Sequence, residues 1–135
     1  MKTIISTLIL TLVFGTFNFV NAQTNRQIKV LINRQKAVSG AKLIIKFAAL
    51  VEDSRCPVDT NCIDAGNAQI KIKVSKSNGI TQTFELNTNS APQSVTFAGY
   101  KIKLVDLNPE PATNIRINRN GYTATFLVTK VKNSK

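Results

Sequence analysis

The chain has 135 residues, 18 Lys and Arg against 7 Asp and Glu for a net charge of +11, two Cys, no His and no Trp. That length holds one domain, and the charge balance makes it strongly basic. The absence of His removes the commonest general base, the usual activator of a Ser or Cys nucleophile and the commonest metal ligand, and two Cys alone do not make a protein-only zinc site, so no cofactor, metal or catalytic set is expected.

In chain order, residues 1–22 read as a cleaved secretory signal. Lys2 gives the positive start, Ile4 to Val20 a mostly apolar run, and Val20-Asn21-Ala22 a small-residue cleavage pattern that leaves Gln23 as the new N-terminus. The run is too short and too polar-studded for a spanning helix, and no Cys stands at the cut to carry a lipid. No later segment is long and apolar enough to span, so the mature domain, residues 23–135, is expected to be secreted or periplasmic, at a net charge of +10 once Lys2 is gone. In that oxidising setting Cys56 and Cys62 are expected to form one disulfide, worth about 2.4 kcal/mol by loop-closure entropy.

Beyond the signal the hydrophobic period is two nearly everywhere. Ile28, Val30 and Ile32 begin it, and after Ser39-Gly40 a long strand puts Leu43, Ile45, Phe47, Ala49 and Val51 on one face. Ala68, Ile70, Ile72 and Val74 alternate with polar residues up to Asn78-Gly79, which signals a type I′ hairpin returning through Phe84 and Leu86. Val95 and Phe97, then Tyr100, Ile102 and Leu104, precede Pro109 and Pro111. Ile115 and Ile117 lead to a second turn signal, Asn120-Gly121, and Tyr122 to Val128 close the chain ahead of a basic tail, Lys130–Lys135. Seven or eight short strands with no helical period predict an all-β single antiparallel β-sandwich, immunoglobulin-like or related, with a small β-barrel as the alternative.

Residues 52–68 interrupt this pattern. Four of the seven acids, Glu52, Asp53, Asp59 and Asp64, gather in this disulfide-closed loop, with Arg55 among them able to bridge Asp53 or Asp64. Asp53, Asp59, Asn61, Asp64 and Asn67 would offer calcium oxygen ligands, but their spacing fits no EF-hand loop and a structural role is favoured. Asp53–Pro57 (D-S-R-C-P), Cys62–Ala68 and Gly99–Pro111 together resemble an uncharacterised group of small exported bacterial proteins that read D-S-R-C-P…C-[IV]-W-A-G-x-A with a later G-Y-x-I-x-L-x4-P-x-P. The resemblance implies an exported all-β domain and brings no activity. Asp64 stands where that group carries Trp.

Two functional expectations follow. Lys71 with Lys73 and Lys101 with Lys103 repeat at alternate strand positions; the plainer reading is solubility and protection of sheet edges, but if their strands share a sheet, its outer face attracts an anionic envelope polymer, lipopolysaccharide, acidic glycan or extracellular DNA. The alternative is a protein partner met by the 53–67 loop, in an inhibitor-like way, with Asp53, Arg55, Asp59 and Asp64 as contacts. A hydrolase is the weakest reading. Asp106 and Glu110 are the only other carboxylates clustered in sequence, and nothing there sets them opposite Asp53 or Asp64.

Overall fold

The computed structural model describes residues 25–132; residues 1–24, which include the expected signal segment, and residues 133–135 of the basic tail lie outside it. Eight strands form two four-stranded antiparallel sheets. They are β1 (Arg26–Leu31), β2 (Gln35–Val38), β3 (Leu43–Asp53), β4 (Ala68–Lys76), β5 (Thr81–Asn87), β6 (Ser94–Phe97), β7 (Tyr100–Asn108) and β8 (Thr123–Lys130). The first sheet has the order β1-β8-β7-β6 and the second β2-β3-β4-β5. The architecture is the expected sandwich, not closed into a barrel. Its connectivity is a local one: β2 to β5 meander through one sheet, β6 to β8 through the other, and β1 joins the second meander beside β8.

Side-chain alternation explains why these segments bury one face. Ile45, Phe47, Ile70, Ile72 and Val74 from one sheet meet Val30, Ile102, Ala124, Phe126 and Val128 from the other, all but fully buried. At one corner Phe84 and Phe97 pack edge to face, centroids 6.0 Å apart. Where sheets change, backbone bonds close the gap: Asn33, in a left-handed conformation (φ 65°), donates its N–H to the Phe47 carbonyl at 2.8 Å.

Four local expectations are corrected. The face of β3 does not run unbroken to Val51. Its register against β4 slips between Phe47 and Ala49 and again between Leu50 and Glu52, so Ala48 and Val51 are bulge residues. Each extra residue inverts the alternation, which turns Leu50 and then Asp53 inward and leaves Val51 exposed. Asn78-Gly79 does turn a hairpin, but only Gly79 has positive φ. The loop is Ser77-Asn78-Gly79, closed by the Lys76 N–H to the Ile80 carbonyl, and the Asn78 side chain accepts from the Ile80 N–H. Asn120-Gly121 ends a 3-10 turn, Arg119–Gly121, capped by Asn118, and Ile115 and Ile117 lie in the loop before it. The alternation also gives no sign of β2, a short edge strand with only Val38 buried.

The two-residue turn with positive φ at both positions is Ala98-Gly99, between β6 and β7 (φ 53° and 81°). Alanine there carries left-handed strain that Asn tolerates better. Ala98→Asn is expected to raise stability by about 0.5–1 kcal/mol, read as an upward shift of the thermal midpoint; an unchanged or lower midpoint would refute the strain.

Candidate functional site

The stapled corner is built where β3 ends. The two bulges cancel in phase, so Asp53 stays on the inner face of Leu43, Ile45 and Phe47, and their shift of register sets it opposite Ala68 at the open end of the sandwich. There it meets Arg55, two residues on, and Tyr122, which reaches across from the start of β8. Arg55 Nε donates to Asp53 Oδ1 at 2.8 Å and Nη2 to Oδ2 at 2.8 Å, a bidentate pair with both side chains about 10 % exposed. The Tyr122 hydroxyl donates to Oδ2 at 2.9 Å, and the Arg55 N–H approaches Oδ1 at 3.3 Å. Arg55 Nη1 also donates to the Leu107 carbonyl at 2.6 Å and Nη2 to the Pro109 carbonyl at 2.9 Å. The carboxylate accepts four bonds and the guanidinium spends four of its five N–H groups, so the pair is nearly saturated.

These contacts lock the loop to both sheets. β6 runs opposite only Tyr100–Lys103 of β7, leaving the later part of β7 with no partner strand on that side. Arg55 covers the Leu107 carbonyl there, while Asp106 Oδ1 accepts from the Leu107 N–H at 2.9 Å, which blunts an edge open to strand addition. Burial alone would push the Asp53 carboxyl up, but the Arg55 and Tyr122 hydrogen bonds and the Arg55 charge together hold it below the usual carboxylate range. Its hydrogen bond and charge raise Arg55 further, and burial with the same carboxylate raises the Tyr122 hydroxyl.

The disulfide Cys56–Cys62 is formed, with Cα atoms 5.9 Å apart. The two arms of the loop pair beneath it: the Ser54 N–H donates to the Asn67 carbonyl and the Cys56 N–H to the Ala65 carbonyl, both at 2.8 Å. Gly66 (φ 71°) sits where they cross. The loop also docks on the β7–β8 connection, the Val58 N–H donating to the Pro111 carbonyl at 2.9 Å and Asp59 accepting from the Thr113 N–H at 3.0 Å and from its hydroxyl. The Thr113 bonds hold the exposed Asp59 carboxyl low. Asn67 ties the base to β5 through Asn87 Oδ1 at 2.9 Å. Polar bonds therefore hold this loop without the Trp of the resembling group, and Asp64 is exposed and takes no part.

Of the loop contacts read from sequence, Asp53 and Arg55 are brought together and turned inward, Asp59 faces a neighbouring loop, and Asp64 stands alone. The oxygen donors considered for calcium are thereby dispersed. Among the described residues no three His, Cys, Asp or Glu side chains are grouped to hold a metal. What the sequence reading missed is Tyr122, whose position in an alternating strand marks it as core and hides its hydroxyl's reach, and the carbonyls of Leu107 and Pro109. Beside the lock lies a cleft of about 260 Å³ lined by Arg55, Val58, Leu107, Pro111 and the two carboxylates Asp106 and Glu110. Asp106 is held by the Leu107 N–H and by Asn108 Nδ2, and Asp53 points away into the lock.

The lysines form a second candidate site, and the single-sheet condition fails. Lys71 and Lys73 are on β4 of the second sheet, whereas Lys101 and Lys103 are on β7 of the first. Each pair alternates with buried residues and so faces outward from opposite sides of the sandwich. Each face gains a third lysine. On the second sheet Lys46 of β3 lies directly opposite Lys73 in the ladder. On the first, Lys29 of β1 is opposite Thr125, one step along β8 from Leu127, the partner of Lys103. Carboxylates enter the stapled-end side of these faces beside the lysines: Asp106 lies across Thr125 from Lys29 on one, and on the other, near Glu52, Glu85 lies directly opposite Lys71 and accepts from Gln69 at 3.1 Å. Arg55–Asp53 is the only ion pair among the described residues, so none of the six lysines is held in one, Lys71 facing Glu85 across the ladder included.

Among the described residues no helix is long and apolar enough to cross a membrane. No family model, curated protein or solved structure matches the chain.

Proposed function

We propose that this protein is an exported, non-catalytic β-sandwich that binds anionic polymers of the cell envelope or its surroundings through its outer lysines. One observation carries the reading: Lys46 and Lys73 stand directly opposite each other with no carboxylate bridging them, and Lys71, opposite Glu85 but in no ion pair, lies a step away. Like charges at opposed positions cost stability. Lysines that only protect a sheet against strand addition belong on edge strands. Lys46, Lys71, Lys73, Lys101 and Lys103 lie instead on interior strands, β3, β4 and β7. Lysines that serve solubility alone gain nothing from being aligned against one another, whereas a bound polyanion turns that repulsion into attraction. The predicted signal segment and the formed disulfide support export.

Affinity for a heparin-type polysaccharide tests this. Release of counterions from three lysine contacts is expected to weaken binding roughly 30-fold when salt rises from about 50 to about 200 mM. Affinity that is flat across that range would overturn the reading.

A second reading rests on the loop. Ile63 at its tip is wholly exposed and Val58 is 63 % exposed, on a segment held rigid by the disulfide and the lock. Apolar side chains presented on a preorganised loop suit a protein partner, since little ordering entropy remains to be lost on contact. In that reading Asp53 and Arg55 hold the loop and Ile63 and Val58 make the contact.

A further inference from the structure

Resting on the polyanion reading, we propose that one molecule binds two acidic polysaccharide chains, one on each outer face, and so bridges them. The two faces repeat one binding element. Lys71 and Lys73 on β4, and Lys101 and Lys103 on β7, are each two residues apart on an interior strand. The strand rise sets the members of each pair about 7 Å apart along a row. A row of that kind suits a linear chain whose charges recur along its length. Lys46 widens the row on the second sheet, and Lys29 does so on the first.

The geometry separates the two elements. Packed sheets lie about 10 Å apart and the lysines project outward from both, so the two ammonium layers are on the order of 20 Å apart and face opposite ways. A short chain on one face cannot touch the other without passing around a sheet edge. Two sites for the same class of ligand, back to back on a rigid sandwich, make a cross-linker. Bridging also raises effective affinity for a network of chains, because the second contact follows at high local concentration.

Polysaccharide is favoured over nucleic acid by the placement of the aromatic rings. Single-stranded nucleic acid is held by bases stacked on exposed rings. Phe47, Phe97, Phe126 and Tyr122 are buried, and Phe84 and Tyr100 are half-buried against the core. Neither lysine face offers a ring.

Calorimetric titration at low salt with a short, size-defined sulfated oligosaccharide tests the proposal. Two oligosaccharides are expected per wild-type molecule. One is expected for the Lys46→Gln/Lys71→Gln/Lys73→Gln variant and one for Lys29→Gln/Lys101→Gln/Lys103→Gln, each melting no lower than the wild type. Long-chain heparin is expected to turn turbid with the wild type and to stay clear with either variant. One oligosaccharide per wild-type molecule, or two still bound by a triple variant, would overturn bridging while leaving polyanion binding in place. Single-stranded DNA binding more tightly than the oligosaccharide at equal salt would overturn the polysaccharide assignment. Failure of the wild type to bind either the oligosaccharide or heparin would overturn the polyanion reading itself.

Discussion

Arg55→Ala is expected to destabilise the domain by about 3 kcal/mol, near the lower end of what removing one partner of a buried ion pair costs. The loss has three parts. The Asp53 carboxylate keeps only the Tyr122 hydroxyl as a strong donor, the Leu107 and Pro109 carbonyls lose theirs, and the end of β7 loses its cover. Chemical denaturation should show a lower midpoint with the slope retained. Asp53→Asn keeps the shape but strands the guanidinium, so it should cost nearly as much. The double variant should cost clearly less than the sum, because the two residues act as one unit. Additive losses would show that they do not. If the loop meets a protein partner, Arg55→Ala should also weaken that contact, although Ile63 and Val58 are untouched.

The same lock sets a pH dependence with a definite sign. The Asp53 carboxyl titrates lower in the folded protein than in the unfolded chain. Its contribution is therefore fully present above the ordinary carboxylate range, about pH 4, and is lost as pH falls through the lowered folded value. The Tyr122 hydroxyl is raised, so its contribution is present below about pH 10 and is lost as pH rises through the folded value. Stability should form a plateau between these limits, and Asp53→Asn should flatten its acid side.

Gly66→Ala is the second large effect, also about 3 kcal/mol, or roughly 15 °C in melting temperature. A Cβ built there would lie 1.9 Å from the Ser54 carbonyl oxygen and 2.9 Å from the Arg55 Cα, both in the opposite arm of the loop. Backbone cannot swing aside as a side chain can. The arms must part, breaking the Ser54–Asn67 and Cys56–Ala65 bonds and pulling Arg55 off Asp53. Positive φ adds strain of its own. Gly79→Ala makes the control: φ is 90°, but a Cβ there meets nothing within 4 Å, so only the strain of about 1 kcal/mol applies. Equal losses at the two sites would mean that close approach is not what fixes Gly66.

What the sequence displayed and what it concealed have separate physical origins. Alternation made β4, β8 and the first half of β7 legible because each buries one face without a break, up to the bulge at Val105 in β7, and the acidic Cys loop stood out because its composition breaks from the rest. A bulge leaves no mark in composition. Ala48 and Val51 are ordinary strand residues, yet the bulge at Ala48 turns Leu50 inward and the one at Val51 restores the original phase, which sets Asp53 opposite Ala68 and within reach of Tyr122. Asn78-Gly79 and Ala98-Gly99 show the converse. The stronger turn signal forms the three-residue loop, and the weaker one takes the tight turn because β6 and β7 pair right up to it. The lysine spacing was visible too. The partition of β4 and β7 between two sheets was not, since it depends on crossings after β1 and β5 that no local pattern encodes.

In the proposed reading the molecule divides into a basic body that binds and a stapled end that stabilises. The most direct test measures heparin affinity at about 50 mM salt together with melting temperature, for two variants. One replaces all six face lysines with Gln; the other is Arg55→Ala. The six-lysine variant is expected to lose at least the roughly 30-fold in affinity that the salt increase removes, with a melting temperature no lower than the wild type's. Arg55→Ala is expected to melt roughly 15 °C lower and, while folded, to bind as the wild type does. Undiminished heparin binding by the folded six-lysine variant would contradict the assignment of binding to these two faces.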